Sequence, residues 1–269
     1  MTEQGSGTWH YGLVARWWDE FNVADPDELA RFSAAIEEFG QPALDLGCGT
    51  GRILLPLLEA GFEVDGTDVS ADMIALATDR ARRDGRAPRL AVQALHELDL
   101  PRRYRTAFMC GVFGIGASRG QDREALRRVR AHLEPGGALL IDHELPYAGM
   151  DAERWARWLP GGRAGIPRAW PAEGDRRRTA DGDEIELISR LGAFDPLEQR
   201  AVLEMRARLW HDGAVAAEEE GRLTEKQYFA QEVLLLLDEA GFADVTVEGG
   251  HTGRPATADD GTVVFVART

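Results

Sequence analysis

An apolar strand that ends in an acid and three alternating glycines is the feature that most constrains the fold of this chain. Residues 40–46 predict a buried strand, and residues 52–60 predict the helix that follows it. The segment Asp45-Leu46-Gly47-Cys48-Gly49-Thr50-Gly51 is therefore a tight turn at the carboxyl end of a parallel strand, where open α/β sheets bind ligands. We expect a nucleoside at this turn, because glycines tolerate its backbone angles and side chains at all three positions would fill the space of the ligand.

The spacing of the glycines distinguishes this turn from a dinucleotide site. Dinucleotide sites usually have the pattern G-x-G-x-x-G, whereas this turn has G-x-G-x-G, which counts against a nicotinamide-dependent oxidoreductase. Residues 62–68 predict a second strand, and its last residue, Asp68, lies where the ribose-binding carboxylate of such a βαβ unit lies. A carboxylate in this place can accept hydrogen bonds from both ribose hydroxyls.

The turn and the segment after the second strand resemble a known family. Asp45–Gly51, followed by Asp68–Met73, is similar to the class I S-adenosylmethionine-dependent methyltransferases of the small-molecule type. The similarity extends over residues 40–145 and 225–269. It implies an α/β fold, with a Rossmann-like, mostly parallel sheet of seven strands in the order 3-2-1-4-5-7-6 and helices on both faces. It also implies S-adenosylmethionine as the cofactor and S-adenosylhomocysteine as the product.

The resemblance assigns roles to residues around the turn. Asp45 would orient the ammonium group of the cofactor, and Asp68 would hold its ribose. Val69 and Met73 would flank the adenine, although a Met at the start of a helix is more often core packing. Cys110 ends the predicted fourth strand, residues 104–110, and would also contact the cofactor.

Recognition of the adenine amino group departs from the family pattern. Many members carry an acid just after the third strand, residues 89–93 here, whereas this chain has Ala94. Backbone groups at Ala94 and Leu95, with the side-chain amide of Gln93, are the expected replacement. The predicted cofactor contacts are Asp45, Gly47, Cys48, Gly49, Gly51, Asp68, Val69, Met73, Gln93, Ala94, Leu95, Cys110, Tyr11 and Trp18.

Two helical segments precede the first strand of the sheet. Residues 9–21 are rich in aromatic side chains, and the pattern after them predicts a capped helix over residues 26–39. In the resembled family such helices fold over the cofactor as a lid, which implies apolar contacts from Tyr11, Trp17 and Trp18. The alternative is that these aromatic side chains belong to the core of a helix packed on the sheet.

The second half of the chain completes the sheet and inserts a further region. Residues 147–182 lack periodicity and predict a long covering loop, and residues 184–223 alternate with period two, as in a three-stranded antiparallel meander. A last helix over residues 224–240 and two strands follow. The predicted domains are an N-terminal helical lid of residues 1–39, a methyltransferase core of residues 40–146 and 224–269, and an inserted substrate-covering region of residues 147–223.

Histidine side chains near strand ends are the candidates for catalysis. In-line methyl transfer requires alignment and exclusion of water, and a general base helps when the acceptor carries a proton. His143 is the predicted base and His96 the second candidate. Consecutive side chains of a strand point to opposite faces, so Asp142, His143 and Glu144 cannot bind one ion, and we predict no metal. The predicted substrate contacts are Phe113, Arg119, Tyr147, Trp155, Trp158 and Tyr228.

Charge and cysteine content limit the partners of the protein. The formal net charge is −15, and the basic residues are arginines apart from Lys226. The chain therefore lacks the basic charge that is expected of a nucleic-acid-binding protein. Cys48 and Cys110 lack metal-ligand spacing and are expected to be reduced thiols of a bacterial, cytoplasmic protein. No segment predicts a signal peptide or a membrane span. We expect a small-molecule acceptor, no nucleic-acid or membrane partner, and a monomer or homodimer.

Two functions fit these observations. The first is an S-adenosylmethionine-dependent methyltransferase that moves a methyl group to O or N of a small, partly apolar molecule by in-line displacement. The second keeps the cofactor pocket but uses it for binding, or for a non-methylating reaction such as a cyclisation. The motifs alone barely separate the two functions, because one fold can carry different chemistry.

Overall fold

The glycine turn follows the first strand of a seven-stranded sheet. The computed structural model describes residues 7–149 and 152–269. The helices and strands of these residues are, in chain order, α1 (Gly12–Phe21), α2 (Pro26–Phe39), β1 (Ala43–Leu46), α3 (Leu54–Glu59), β2 (Val64–Asp68), α4 (Ala71–Arg83), β3 (Leu90–Val92), a 3₁₀ turn (Leu95–Glu97), β4 (Tyr104–Cys110), α5 (Arg119–His132), β5 (Leu133–Glu144), α6 (Ala152–Ala156), β6 (Asp175–Arg178), β7 (Glu184–Asp195), β8 (Arg200–His211), β9 (Ala214–Lys226), α7 (Ala230–Ala240), β10 (Asp244–Gly249) and β11 (Thr262–Arg268).

These elements form two compact units. The core unit consists of Val23–Phe113, Ser118–Gly149 and Tyr228–Thr269. The meander unit contains, of the described residues, 7–22, 114–117 and 152–227. This division differs from the predicted domains at the N-terminal segment, because α1 belongs to the meander unit and α2 to the core unit.

The core unit is built on a mixed sheet with the strand order β10-β11-β5-β4-β1-β2-β3. Strands β1 to β5 are parallel, whereas β11 is antiparallel to both of its neighbours, β5 and β10. Counted within this sheet alone, the strands have the predicted order 3-2-1-4-5-7-6, so the Rossmann-like fold is confirmed. The carboxyl ends of the parallel strands consequently lie at one edge of the sheet, where the glycine turn begins.

Alternating side chains of the core strands enter two apolar clusters, one on each face of the sheet. Phe32 of α2 stacks on Phe108 of β4 in the first cluster, which also contains Leu54 of α3. Met109, the next residue of β4, packs in the second cluster with α5 and α7, whose Leu237 is fully buried. The apolar strands are thus covered on both faces, as is typical of parallel sheets.

The meander unit contains a four-stranded antiparallel sheet with the order β6-β7-β8-β9. The three predicted antiparallel strands form as β7, β8 and β9. The prediction of a structureless loop before them is wrong, because β6 pairs with β7 and α6 forms in the same segment. Strand β6 consists of one aspartate and three arginines, all of them exposed, so no alternation of apolar and polar residues marks this strand in the sequence. Strand β9 extends to Lys226, which pairs with Arg200, and the last helix therefore begins at Ala230 and not at residue 224.

Helix α1 packs on the antiparallel sheet of the meander unit. Leu13 and Val14 are buried in a cluster with Ile185 of β7 and Met205 of β8. Trp9, just before the helix, is buried in the same cluster. For Trp9, therefore, the alternative interpretation of the aromatic segment as core packing applies.

Gly137 allows β5 to pair closely with β4. A Cβ at this position would lie 2.7 Å from the backbone oxygen of Arg105, and paired backbones cannot separate without losing hydrogen bonds. We expect Gly137→Ala to lower the free energy of unfolding by about 1–3 kcal/mol. Gly120→Ala in α5 is the matched control, because a Cβ there meets only Ser118 Oγ, at 3.9 Å, and alanine favours a helix. Urea unfolding measures the free energy of unfolding of both variants. A Gly137→Ala variant as stable as the wild type would contradict the close approach of β5 to β4.

Candidate functional site

Hydrogen bonds tie the glycine turn to the end of β2. The backbone N–H groups of Gly47 and Cys48 both donate to the carbonyl oxygen of Thr67, at 2.7 and 2.9 Å. The N–H of Gly49 donates to Oδ2 of Asp68 at 2.9 Å. The structure therefore brings together the two segments that the sequence assigns to one ligand.

The three glycines of the turn are needed for different reasons. Gly47, Gly49 and Gly51 have φ values between +55° and +87°, which other residues rarely adopt. A Cβ at Gly47 would lie 2.6 Å from Val112, and one at Gly51 would lie 2.8 Å from Leu55, so protein atoms occupy the space beside both. A Cβ at Gly49 would have nothing within 4 Å. The prediction that all three glycines make room for a ligand is therefore wrong, since of the three Gly49 alone faces open space.

Asp68 retains capacity for further hydrogen bonds. Its Oδ1 accepts from the N–H of Ser70 at 2.8 Å, and its Oδ2 accepts from Gly49. Burial raises the pKa of Asp68, and these backbone hydrogen bonds oppose that shift. The N–H of Val69 also donates to this carboxylate. Because a carboxylate can accept about four hydrogen bonds, one acceptor position remains for a ribose hydroxyl.

Asp45 is a buried acid whose charge is poorly compensated. Burial raises its pKa to about 8, the positive charge of Arg52 opposes this shift, and the negative charge of Asp68 adds to it. A cationic group bound beside Asp45 would favour its ionised form. The buried acid, the carboxylate at the end of β2 and the open space at Gly49 together fit a ligand that carries a cationic group and a ribose.

Of the two side chains expected to flank the adenine, one is exposed and one is buried. Val69 directly follows Asp68 and is 36% exposed, as its predicted contact requires. Met73 is 1% exposed and belongs to the core. The burial of Met73 favours the alternative of core packing, and its adenine contact stays a prediction.

The loop after β3 uses the amide of Gln93 for its own structure. This amide donates to the carbonyl of Asp99 and accepts from the N–H of the same residue, both at 3.1 Å. It thereby braces the loop, but an amide has two N–H donors and two acceptor positions, so one of each is left and the contact of Gln93 with adenine stays a prediction. Backbone recognition at Ala94 and Leu95, which are both half-buried, stays a prediction.

A polar cluster joins the glycine turn to the ends of β4 and β5. Arg52, the residue after the last glycine, pairs with Glu28 of α2, and its Nη2 lies 3.0 Å from Sγ of Cys110. This Sγ lies 3.4 Å from Oε1 of Glu28 and 3.5 Å from Oδ2 of Asp142. Nε2 of His251 lies 3.0 Å from the same Asp142 oxygen. We name the group of Glu28, Arg52, Cys110, Asp142 and His251 the edge cluster.

Most of the edge cluster has no clear signal in the sequence. Cys110 is predicted at the cofactor site and does lie in the cluster, and Arg52 is detectable because it directly follows the glycine turn. Glu28 is recognisable only as a capping residue of α2, where it accepts from the N–H of Asp25 at 3.1 Å. His251 lies in an irregular loop between β10 and β11, where no pattern marks it.

Three members of the edge cluster are close enough to share a metal ion. The ligand atoms of Glu28, Cys110 and Asp142 lie within 4.8 Å of one another. The cation beside them is the guanidinium of Arg52, which contacts both Glu28 and Cys110. Burial also raises the pKa of the Cys110 thiol, which favours its protonated form in the protein as described. We assign no metal to the cluster.

His143 points away from the edge cluster. It follows Asp142 in β5, so the two side chains point to opposite faces of the sheet. Its Nε2–H donates to the backbone carbonyl of Tyr228 at 2.8 Å, and its ring packs near those of Phe113 and Phe265. Burial lowers the pKa of His143. The prediction of His143 as the base is wrong, because this ring is a buried core histidine without access to an acceptor.

The predicted substrate contacts in the core unit divide into buried and exposed side chains. Tyr228 is fully buried, and its hydroxyl donates to Oδ2 of Asp122 at 2.7 Å. Phe113 is also buried, with its ring against that of Tyr228. The predicted contacts of these two residues are wrong, because both belong to the apolar core. Arg119 and Tyr147 are exposed, and their contacts stay predictions.

The remaining predicted contacts, from the first helix and from α6 and the loop after it, belong to the meander unit. Trp17 and Trp18 are partly buried against its apolar cluster, and Trp158 packs edge-on against a phenylalanine of β7. Tyr11 directly precedes α1, and Trp155 lies in α6 with an exposed side chain. The cofactor and substrate contacts of these residues stay predictions.

Burial of Asp45 predicts a pH-dependent stability. Its pKa is about 8 in the folded protein, whereas an unfolded chain has the ordinary pKa of about 4, so between these values the folded state holds the additional proton. The contribution of Asp45 to the free energy of unfolding therefore falls as the pH rises through this range. Asp45→Asn cannot titrate, so relative to this variant the wild type is expected to be more stable at pH 5 than at pH 8. Urea unfolding of both proteins across the range tests this, and a constant difference would contradict it.

Comparison with known proteins identifies residues 43–137 as a methyltransferase domain. The ubiquinone biosynthesis O-methyltransferase of Caulobacter vibrioides is 30% identical over 217 residues, which cover 70% of this chain and 84% of that protein. A dTDP-3-amino-3,6-dideoxy-alpha-D-glucopyranose N,N-dimethyltransferase of Streptomyces fradiae is 35% identical over 120 residues, which cover 43% of this chain and 45% of that protein. The chain spans 58% and 45% of the length of the first two curated relatives that it matches.

Solved structures share the fold over nearly the whole chain. The sugar N-methyltransferase KedS8 of Streptoalloteichus sp. has a TM-score of 0.69 at 20% identity, over 97% of this chain and 96% of that one. An S-adenosylmethionine-dependent methyltransferase of Clostridium acetobutylicum has a TM-score of 0.68 at 17% identity, over 94% of this chain and 96% of that one. The Caulobacter relative is matched over most of its length, and the turn and Asp68 meet as the sequence resemblance implies. The chain therefore belongs to the class I S-adenosylmethionine-dependent methyltransferases.

Proposed function

We propose that this protein transfers a methyl group from S-adenosylmethionine to a nitrogen or oxygen atom of a small, partly apolar molecule, with S-adenosylhomocysteine as the second product. The observation that carries the proposal is the contact between the glycine turn and Asp68, next to the buried Asp45 with its raised pKa. A ribose hydrogen-bonds to a carboxylate such as Asp68, and a cationic amino-acid moiety compensates an acid such as Asp45.

Different residues at this edge of the core sheet would contact different parts of the cofactor. Asp68 would accept hydrogen bonds from the ribose, and Asp45 would face the ammonium group, whose charge favours the ionised acid. Gly49 leaves open space beside the turn, and Val69 offers exposed apolar surface to the adenine. When bound, S-adenosylmethionine supplies a methyl group on a positively charged sulfur, which keeps the electron pair of the broken bond.

The acceptor class is inferred from the relatives. The Streptomyces fradiae relative is named for N,N-dimethylation of an amino sugar nucleotide, and the Caulobacter vibrioides relative for O-methylation in ubiquinone biosynthesis. Both amines and hydroxyl groups of small molecules are therefore candidate acceptors. The predicted roles of residues 1–39 as a lid and of residues 147–223 as the substrate-covering region are part of this proposal.

The setting of the protein is also part of the proposal. In the part of the chain that the structure describes, no helix combines the length and the apolar character needed to cross a bilayer. The strongly acidic chain, with a formal net charge of −15, disfavours a nucleic-acid substrate because phosphate groups would be repelled. We place the reaction in the bacterial cytoplasm, carried out by a monomer or homodimer.

Asp68→Ala tests the cofactor site. The variant is expected to bind S-adenosylhomocysteine about 5- to 150-fold more weakly, because about 1–3 kcal/mol of hydrogen bonding to the ribose is lost. Asp84→Ala, which removes an exposed carboxylate at the end of α4, is the matched control. Isothermal titration calorimetry of both variants measures the effect, with NAD as a second ligand. Unchanged affinity in Asp68→Ala, or binding of NAD in place of S-adenosylhomocysteine, would show that the site is assigned incorrectly.

Methyl-labelled S-adenosylmethionine tests the reaction. The wild-type protein is incubated with two panels of acceptors, nucleotide-linked amino sugars and catechols, and labelled products are separated by chromatography. Incorporation of label into a member of either panel is expected, and the position of the labelled methyl group in the product decides between nitrogen and oxygen. Tight binding of S-adenosylhomocysteine without labelled product from either panel would contradict methyl transfer and favour the non-methylating alternative.

A further inference from the structure

His251 and Asp142 form a hydrogen-bonded pair at the carboxyl edge of the core sheet. Nε2 of His251 lies 3.0 Å from Oδ2 of Asp142. Asp142 is buried near the end of β5, whereas His251 is half-buried. The ring of Phe32 meets the imidazole edge-on, with the centroids 6.0 Å apart. A carboxylate on one ring nitrogen orients an imidazole and stabilises its protonated form.

The loop that carries His251 is braced by hydrogen bonds. The N–H of Gly250 donates to the carbonyl of Thr262 at 2.9 Å, which closes the loop between β10 and β11. Within the loop, Nη1 of Arg254 donates to Oδ2 of Asp260 at 2.8 Å. The imidazole is therefore held in place from its own loop and from β5, which suits a group that must meet a substrate in a defined orientation.

The pair is linked to the glycine turn through the rest of the edge cluster. Oδ2 of Asp142 lies 3.5 Å from Sγ of Cys110, and that sulfur lies 3.0 Å from Nη2 of Arg52. Arg52 directly follows Gly51 in the chain. His251 is thus connected by three side-chain contacts to the loop that we assign to the methyl donor.

The other described histidines of the core unit are engaged differently. His143 is buried on the opposite face, and both ring nitrogens of His132 bond to backbone groups. Nε2 of His96 contacts a side-chain amide of α5. With Nε2 of His251 on Asp142, its Nδ1 has no hydrogen-bond partner among residues 7–149 and 152–269. This nitrogen is therefore available to a proton.

We propose that His251 is the catalytic base that removes the proton from the acceptor, with Asp142 as its positioning residue. This inference rests on the proposed function and requires an acceptor that carries a proton, an amine or a hydroxyl group. The N–H or O–H bond of the acceptor breaks, its electron pair stays on the nucleophilic atom, and the proton moves to Nδ1 of His251, from which solvent removes it. The retained electron pair forms the new bond to the methyl group.

The charges around His251 support this role. The hydrogen bond from Asp142 raises the pKa of His251, burial lowers it, and the charges of Asp142, Glu28 and Asp25 raise it further, so that the result lies above the ordinary value. Arg52 compensates Glu28 in part. The imidazole is thus a stronger base than an ordinary histidine. The charged or titratable groups that face the pair are Asp25 and Glu28 of α2, Arg52 after the turn, Cys110 of β4 and Asp142 of β5.

His251→Gln tests the base in the full-length protein, with the acceptor that gives most product in the labelled panels. We expect kcat to fall about 10²- to 10⁴-fold, because proton removal contributes that much to such reactions. The affinity for S-adenosylhomocysteine is expected to stay unchanged. His211→Gln is the matched control, since His211 also pairs with a carboxylate, Asp183 at 2.6 Å, but lies exposed in the meander unit. Its kcat should equal that of the wild type.

Asp142→Asn separates positioning from simple structural support. Loss of the negative charge lowers the pKa of His251, so the acidic limb of the pH profile of kcat/KM is expected to move to lower pH. A readout without turnover is the ¹⁵N NMR titration of the imidazoles in the protein bound to S-adenosylhomocysteine. The resonance that is missing in His251→Gln should titrate above the ordinary pKa of histidine, and at lower pH in Asp142→Asn.

Several outcomes would overturn the role of His251. They are a wild-type kcat in His251→Gln, an unmoved acidic limb in Asp142→Asn, or an imidazole that titrates below the ordinary pKa. Should His251→Gln fail to fold, His251→Ala is assayed with added imidazole, where restored turnover supports the base and its absence overturns it. If the wild type binds S-adenosylhomocysteine but labels no acceptor, the proposed methyl transfer is wrong, and the role of His251 is wrong with it. If the wild type and the His251 variants label the acceptor at the same rate, only the role of His251 is wrong.

Discussion

The hydrogen bonds between the glycine turn and the end of β2 are the interaction on which the site depends. The carbonyl of Thr67 holds Gly47 and Cys48, and the carboxylate of Asp68 holds Gly49. These bonds join the ends of two adjacent parallel strands, so they bring together segments that are separated by a helix in the chain. They also place the open side of Gly49 beside the carboxylate, which creates the shape and the polarity that a nucleoside with a cationic tail requires.

Compensation of buried charge organises the rest of this sheet edge. A charge removed from water destabilises the protein unless a partner lies beside it. Arg52 is the partner of Glu28, and Asp142 is the partner of His251. Asp45 has less compensation and keeps a raised pKa. The paired groups therefore stabilise the edge. Asp45 is the acid whose negative charge a bound cation would compensate.

Local patterns were sufficient to predict the framework of the core unit. The helix over residues 26–39 and the strand over residues 104–110 have the predicted bounds, because caps and apolar runs act over a few neighbouring residues. Strand β6 could not be found in this way, since its four exposed residues gain their structure from pairing with β7. The same reason explains Met73 and Tyr228, whose types suit a ligand site but whose burial depends on elements far away in the chain.

By itself, the sequence determined the kind of fold, because local patterns predict the strands that end in the glycine turn and in Asp68, and the family resemblance implies their order in the sheet. It also led to the proposal that the methyl donor binds at this turn. Only the tertiary structure decided which histidine stands at that edge. His143 lies next to Asp142 in the chain, yet its side chain enters the opposite face of the sheet, while His251 reaches Asp142 from a loop more than a hundred residues later. The face that a side chain enters and the partner that it meets are set by packing between distant segments, and no local pattern records that packing.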